Sequence, residues 1–326
     1  MKKPIYVVGH RPPPVTGENL CLRQLEVTLK ELGRAVVSRS RSDLSNLFLR
    51  RASIWLIAGG KKLGHPRDSL WLLWWRLWGC QVSIYIHNIS WRQFKKRAWF
   101  WRIIGAGHFR YVVLTDEIAS GLNSMGLPAT RLNNTLTDGS EPVASKPRVP
   151  VRRLLWMSAV TVEKGFPVSY EIFLNLRAKN PEWCLDVYGD GPLAKDITCF
   201  PYVSFHGFTY GVEKQAALDA GGIFILPSSY VNETQPLSII EALANGVPFV
   251  ASTIGGIKVM RGASAIMPAG ICLEVSASIA EWVTAVESVY ANYADYSRSA
   301  KEVYRQDFCR AAYRDGVSRL ISKSVN

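Results

Sequence analysis

Glu233 and Glu241 stand eight positions apart, and Thr234, Gln235, Pro236 and Leu237 follow the first of them directly. Just upstream, Gly222-Ile-Phe-Ile-Leu-Pro-Ser228 reads as a buried strand ending in a turn. Glu233 is therefore expected in a strand-to-helix loop. Pro236 fits the first helical turn, where its missing N–H has no partner to lose. Glu241 falls about one and a half turns into that helix. Free N–H groups at such a helix start point back into the loop and suit an anion. Either glutamate alone could be a solvated charge on a helix face. The strand–loop–helix–strand block as a whole asks for a function.

Other candidates also follow predicted strands. Glu163-Lys164-Gly165 comes after the apolar run Leu154 to Met157. A lysine is a compact charge suited to oxygens that grow more negative as a leaving group departs, although a surface lysine in a turn looks the same. Gly189-Asp-Gly-Pro192, Phe205-His-Gly207 and Gly255-Gly256-Ile257 are glycine turns after strands, and Lys214 follows the second of them. Pro12-Pro-Pro-Val-Thr-Gly17 sets a glycine before a helix, where backbone can approach a phosphate or sugar closely. His87 closes the strand Val82 to Ile86, where an imidazole can donate to a sugar hydroxyl or simply bond to backbone.

Together these elements resemble the Glu-x7-Glu motif and its companion loops in the retaining, nucleotide-sugar-dependent glycosyltransferases of the GT-B fold, family 4, the group 1 glycosyl transferases. The resemblance covers residues 4 to 260 and is most specific in the second half. It implies that Glu233 lies near the donor sugar, that Glu241 hydrogen-bonds the ribose, and that the backbone from Thr234 through Gln235 and Pro236 to Leu237 meets the diphosphate. It further implies that Lys164 binds the diphosphate, that Gly17 and Gly189 lie beside the donor, and that His87 faces its sugar. Lys214 falls in a region that relatives use near the base. Asn133-Asn134-Thr135 resembles the family's Pro-Asn-Gly turn and reads as structural.

The chain departs from the family pattern at three places. Thr234 and Gln235 stand where glycines are common. Thr16 replaces the first glycine of the N-terminal pair. Ala159 occupies the place of a phosphate-binding arginine, leaving Arg152, Arg153 or Arg11 to supply a second cation. The implied activity is transfer of a sugar from a nucleoside-diphosphate sugar to a hydroxyl on a glycan or lipid-linked glycan, in lipopolysaccharide, capsule or exopolysaccharide assembly. The alternative is a catalytically weak, nucleotide-sugar-binding partner of a membrane glycan-assembly complex. No Asp-x-Asp and no His/Cys cluster with zinc spacing occurs, so no catalytic metal is expected, and no cofactor beyond the nucleotide sugar as co-substrate. A nicotinamide or flavin oxidoreductase is disfavoured, because Gly9-His-Arg-Pro-Pro-Pro lacks the Gly-x-Gly-x-x-Gly of such sites.

The elements that must hold these residues alternate. Apolar runs at Ile5–Val8, Ile54–Ala58, Val82–Ile86 and Tyr111–Leu114 predict buried strands, and Leu22, Leu25, Leu29 and Leu32 recur at helical spacing. Residues 138 to 152, with three prolines and no periodicity, break the pattern. It restarts with predicted strands at Leu154–Met157, Cys184–Tyr188, Val203–Phe205, Ile223–Leu226 and Val247–Ala251, a helix over Pro167–Lys179, and a helical segment from Tyr296 to Ser322. Strands separated by helices predict parallel sheets, and 326 residues suit two domains. The expected fold is α/β, two Rossmann-like doubly wound domains facing a cleft. Residues 1–140 form an acceptor-side domain, 141–152 a linker and 153–305 the nucleotide-sugar-binding domain, while a helix over 306–326 could pack back on the first domain.

A net charge of +13 favours anionic partners. Seven of the eleven tryptophans lie between residues 71 and 101. Within this stretch Trp91, Arg92, Lys95, Lys96 and Arg97 interleave aromatic and cationic side chains. Such a helix can rest on an anionic membrane surface, or its tryptophans can fill a core beneath a solvated basic face. Nucleic acid is not expected, since no binding motif accompanies the charge. Six scattered cysteines and an N-terminus that reads as a strand suggest a cytoplasmic protein, peripheral on the inner face of the plasma membrane.

Overall fold

The computed structural model describes residues 3–10, 17–58, 66–87, 95, 108–136, 149–209, 211–262 and 267–322. The chain divides into two compact units, Met1–Gly139 with Arg310–Asn326, and Ser140–Cys309.

The first unit contains β1 (Ile5–Gly9), α1 (Gly17–Glu31), β2 (Val36–Ser40), a short 3-10 turn (Leu44–Phe48), β3 (Ser53–Ala58), α2 (Pro66–Leu77), β4 (Gln81–Ile86), β5 (Phe109–Val113), α3 (Asp116–Ser124) and β6 (Ala129–Arg131). Its six strands pair in parallel in the order β2-β1-β3-β4-β5-β6. The central strands read as unbroken apolar runs because both faces of a parallel sheet are covered. On one face Trp75 of α2 packs with Ile54, Ile84 and Tyr111. On the other, Leu22, Leu25 and Leu29 of α1 pack with Trp55 and Tyr85. This spacing places the three leucines on one side of a helix.

The second unit contains β7 (Arg153–Met157), α4 (Phe166–Lys179), β8 (Cys184–Tyr188), β9 (Val203–Gly207), α5 (Val212–Asp219), β10 (Ile223–Leu226), α6 (Leu237–Ala244), β11 (Phe249–Ser252), α7 (Ile257–Met260), β12 (Gly270–Leu273), α8 (Ile279–Ala291) and α9 (Tyr293–Val303). Its parallel sheet has the order β12-β11-β10-β7-β8-β9. Counted from β7, that is 3-2-1-4-5-6 read backwards, the strand order of the Rossmann fold. Both units are Rossmann-like. Every residue of β10 and β11 is buried, as central strands require.

The helical segment expected over residues 296–322 is interrupted. After α9 the chain makes a π turn at Tyr304–Phe308, extends at Cys309 and restarts as α10 (Arg310–Ser322). α10 belongs to the first unit, where Tyr313, Val317 and Leu320 join the core that contains α1. Arg110 of β5 donates to the Leu320 carbonyl at 2.5 Å. Among the described residues no helix is long and apolar enough to cross a membrane.

Candidate active site

In the second sheet, β7 and β10 are neighbours although two strands separate them in sequence order. Helices leave these two strands toward opposite faces, and the crevice beyond their carboxyl ends is where such sheets hold ligands. The loop after β7 carries Lys164, and the loop after β10 carries Glu233. Lys164 Nζ donates to Glu233 Oε2 at 2.5 Å. Ser228 Oγ lies 3.4 Å from the same oxygen, and the Tyr230 ring centroid is 5.0 Å from the ammonium, a cation–π distance. The Glu233 side chain is only 8% exposed and that of Lys164 22%. Two charges so far withdrawn from water need each other, because an unpaired buried charge is strongly destabilising.

Backbone geometry holds these side chains in place. Gly165 opens α4 at φ +86°, and a Cβ there would sit 2.0 Å from the Pro227 carbonyl oxygen. Only glycine lets the Lys164 loop lie this close against the end of β10. The Glu163 carbonyl then accepts the Ser229 N–H at 2.9 Å. Gly255, at φ +58°, presses on Glu233 from the next loop; a Cβ there would lie 1.6 Å from the Glu233 carbonyl oxygen. The turn at Gly189 joins the assembly through its neighbour, since the Val160 N–H donates to the Asp190 carbonyl at 2.9 Å and the Gly189 N–H to that of Gly207 at 2.8 Å. Four loops are thus bonded to one another around the crevice.

Glu233 lies in the strand-to-helix loop. Pro236 does not enter the helix. With φ −58° and ψ 125° it is the residue before α6, and its carbonyl accepts the Ile239 and Ile240 N–H groups at 3.1 and 3.3 Å. Its ring suits a helical φ, but its extended ψ delays the helix to Leu237. Ile239 and Ile240 are fully buried and pin α6 to the sheet, at about 2 kcal/mol each. Glu241 is half-buried, and Lys214 of α5 bonds its carboxylate at 2.6 Å. Thr234 and Gln235 are buried between the two glutamates. The structure therefore gathers Lys164, Gly189, Glu233, Thr234, Gln235 and Pro236 on loops, and Leu237 and Glu241 on the following helix, at one end of one sheet.

Gly17 and His87 belong to the first unit. Gly17 is the first residue of α1, and residues 11–16 before it, Arg11 included, lie outside the described residues. His87 follows β4 and is 3% exposed, its ring centroid 4.0 Å from that of Tyr85. Burial pushes the imidazole down to about 3, so it is neutral across the physiological range. Of the basic aromatic segment, Lys95 is described and exposed; Trp91, Arg92, Lys96 and Arg97 lie outside the described residues. Asn133 and Asn134 make local and core contacts: Arg131 Nε donates to Asn133 Oδ1 at 2.9 Å, and Cys21 Sγ to Asn134 Oδ1 at 3.5 Å.

One sequence expectation needs correcting here. Arg152 and Arg153 do not supply a second cation beside Lys164. Arg152 pairs with Glu182 at 2.7 Å. Arg153 is buried against Asp186 at 2.5 Å and donates to the Ala217 and Gly221 carbonyls. Both stand at the amino end of β7, roughly 15 Å of strand away from the loop at its carboxyl end. An open cavity of about 560 Å³ lies beside this pair, between Asp186, Tyr188, His206 and α5, and none of the predicted donor residues lines it. Conversely, Ser228 and Tyr230 were not singled out from sequence, although both sit in the short loop between β10 and Glu233. Among the described residues no three His, Cys, Asp or Glu side chains gather as metal ligands.

Comparison with known proteins agrees with this geometry. Residues 151–292 match the family model "Glycosyl transferases group 1". The chain is 36% identical over 97 residues to the sulfoquinovosyl transferase SQD2 of Arabidopsis thaliana, which is 28% of this chain and 18% of that protein. It is 25% identical over 231 residues to the putative colanic acid biosynthesis glycosyltransferase WcaL of Salmonella typhimurium, 64% of this chain and 55% of that one. These alignments span little more than half of either relative at most. Among solved structures, Anabaena Alr3699/HepE in complex with UDP superposes with a TM-score of 0.71 at 13% identity, covering 99% of this chain and 100% of that one. Sucrose-phosphate synthase from Thermosynechococcus elongatus gives 0.70 at 15% identity, covering 99% of each chain. Residues 151–292 are a glycosyl transferases group 1 domain, and the chain carries the GT-B fold.

Proposed function

We propose that this protein is a retaining glycosyltransferase that moves a sugar from a nucleoside-diphosphate sugar to a hydroxyl of a glycan or lipid-linked glycan, in assembly of a cell-surface polysaccharide. The observation that carries the reading is the Lys164–Glu233 pair at the strand switch, with Glu241 on the helix that follows. A donor there has its diphosphate beside Lys164 and the Pro236–Leu237 backbone, its ribose at Glu241 and its sugar near Glu233. The glycosidic C–O bond to the diphosphate breaks as the acceptor oxygen bonds to the same face of the sugar. The acceptor proton passes to the leaving phosphate oxygen. Lys164 offsets the charge that develops there, an interaction stronger in the transition state than in the ground state. Neutral His87 is proposed to donate to a sugar hydroxyl. UDP-glucose and UDP occupy solved HepE, and the WcaL relatives are named for colanic acid biosynthesis, which supports a nucleotide sugar donor and a polysaccharide product. Trp91, Arg92, Lys95, Lys96 and Arg97 are proposed to rest on an anionic membrane at the cytoplasmic face, where such acceptors would lie.

The commitment of Arg152 and Arg153 at the far end of β7 supports a second reading, a protein that binds nucleotide sugars with little turnover. A hydrolysis and transfer screen over several nucleotide sugars, with and without membrane extract, separates the two. Turnover that Lys164→Ala abolishes is the expected result. Binding without turnover selects the second reading, and no binding of any nucleotide sugar overturns both.

A further inference from the structure

Six of the seven exposed large apolar side chains among the described residues of the first unit come from two adjoining elements. Leu44, Leu47 and Phe48 belong to the 3-10 turn before β3, and Leu70, Leu73 and Leu77 to α2. Phe48 is 77% exposed and Leu77 80%. Leu70, Leu73, Trp74 and Leu77 follow the i, i+3, i+4, i+7 spacing of one helix face. That face is the outer one, since Leu72 and Trp75 are the residues α2 buries. The two elements are joined: Trp74 Nε1 donates to the Leu47 carbonyl at 2.9 Å, and the Arg50 guanidinium stacks 3.7 Å from the Trp78 ring centroid. Scattered exposed leucines need no explanation, but a contiguous set does.

Where α2 ends, the character changes from apolar to basic. A cavity of about 490 Å³ opens at the amino ends of β1, β3 and β4, lined by Lys3, Arg34, Arg51, Ser53, Gly79 and Gln81, with no acid among the described residues. The Nε of Arg34 is buried without a hydrogen-bond partner. Arg51 holds φ +46°, a left-handed conformation costly for a side-chain-bearing residue, and the Trp78 carbonyl fixes it by accepting its N–H at 3.0 Å. The acids nearest in sequence are engaged elsewhere: Glu31, three positions before Arg34, pairs with Arg310, and Asp43 caps the 3-10 turn by accepting from Ser45 N–H at 2.8 Å.

We infer that this face is a docking surface for an anionic lipid bilayer, with the leucine and phenylalanine side chains entering the interface and the Lys3–Arg34–Arg51 cavity taking a lipid phosphate. An apolar stripe bordered by half-buried tryptophans and unpaired cations is complementary to the headgroup boundary, where apolar side chains, indole rings and basic groups each find a partner. A protein partner would answer the apolar stripe but leaves the three cations without a reason. None of these residues belongs to the 91–97 segment or to the donor loops, and the inference stands or fails without them.

The test is flotation of the full chain with vesicles of phosphatidylcholine alone or with about one third phosphatidylglycerol. Each cation near such a surface contributes on the order of 1 kcal/mol, so Arg34→Gln with Arg51→Gln should weaken binding to the anionic vesicles about tenfold or more. Leu73→Ser with Leu77→Ser removes apolar groups that contribute ~0.8 kcal/mol per methylene and should weaken it at least as much, at high salt as well as low. Donor hydrolysis in both variants should match the parent, which also reports their folding. A Lys95→Gln, Lys96→Gln, Arg97→Gln variant that loses all binding while these four substitutions leave it intact overturns the inference. So does a parent chain that ignores anionic vesicles at low salt, and so does a Leu73/Leu77-dependent dimer in sedimentation velocity with no lipid binding. Glycerol phosphate that fills the cavity without blocking flotation overturns the headgroup assignment.

Discussion

The two units share an alternation of strands and helices and place their polar groups in opposite ways. The second unit gathers its charges beyond the carboxyl ends of β7 and β10, as Lys164–Glu233 and Lys214–Glu241. The first unit buries a neutral histidine after β4 and puts its cations at the amino ends of its strands, beside an apolar stripe. Strand order accounts for part of this. In the second sheet the switch falls between β7 and β10, and the loops after both are short enough to bond to each other. On the proposed reading, similar sheets serve different ends of the same reaction, one holding a nucleotide and the other a surface, because the loops and not the strands carry the chemistry.

The sharpest way to break this contrast is Lys164→Ala. If the second unit holds the leaving group, turnover should fall about 10²–10³-fold, with a smaller loss of donor affinity. Lys164→Arg should recover only part, since a guanidinium differs in reach and shape. Near-normal turnover in Lys164→Ala, measured at saturating donor, would move the diphosphate elsewhere. Glu241→Ala should act mainly on affinity. Loss of a charged hydrogen bond to the ribose costs roughly 1.5–3 kcal/mol, about tenfold to a hundredfold in Kd. Calorimetry that finds unchanged nucleotide affinity in a folded Glu241→Ala protein removes that contact.

The first unit is probed through pH. His87 is held down to about 3 by burial, below the ordinary value of 6.5. The unfolded chain therefore binds a proton there that the folded one refuses, and stability falls as pH drops below 6.5. The loss should be about 2 kcal/mol between pH 7 and pH 5. Eight of the eleven tryptophans lie in this unit's sequence, so urea titrations followed by indole fluorescence report it. A His87→Gln protein should lose this share of the pH dependence, and identical slopes in both proteins would place His87 in water. The smallest expected effect is that of a chelator. Activity should persist in excess EDTA, as the absence of an Asp-x-Asp suggests. Complete loss restored by one divalent ion would contradict a reaction carried by Lys164 and backbone alone.

The same contrast governs what the sequence disclosed. β8 and β10 were legible to the residue as Cys184–Tyr188 and Ile223–Leu226, since a buried parallel strand is an apolar run with sharp ends. The edge strands β2, β6 and β12 were not picked out. Val-Val-Ser-Arg-Ser in β2 is half-exposed, and β6 has three residues, so neither carries a run. α3, capped by Thr115, was missed for its short and mixed face. The break at Cys309 was hidden because a π turn shifts the helical period by a single residue. In the site, the residues of each loop were legible because they are contiguous. The bond between Lys164 and Glu233 spans 69 positions and was not. Arg152 and Arg153 looked near Lys164 in sequence, but a strand lies between them.

The Lys164–Glu233 bond bears on timing as well as place. On the proposed reading, an incoming diphosphate has to take the lysine from Glu233, which would weaken capture, and the carboxylate would reclaim it once the product departs, which would hasten release. The glutamate would thereby act as an ejector built into the resting site, exchanging grip for turnover. Glu233→Gln, which keeps the shape but not the charge, should hold a nucleoside diphosphate longer, and stopped-flow displacement no slower than in the parent would show that the pair has no part in release.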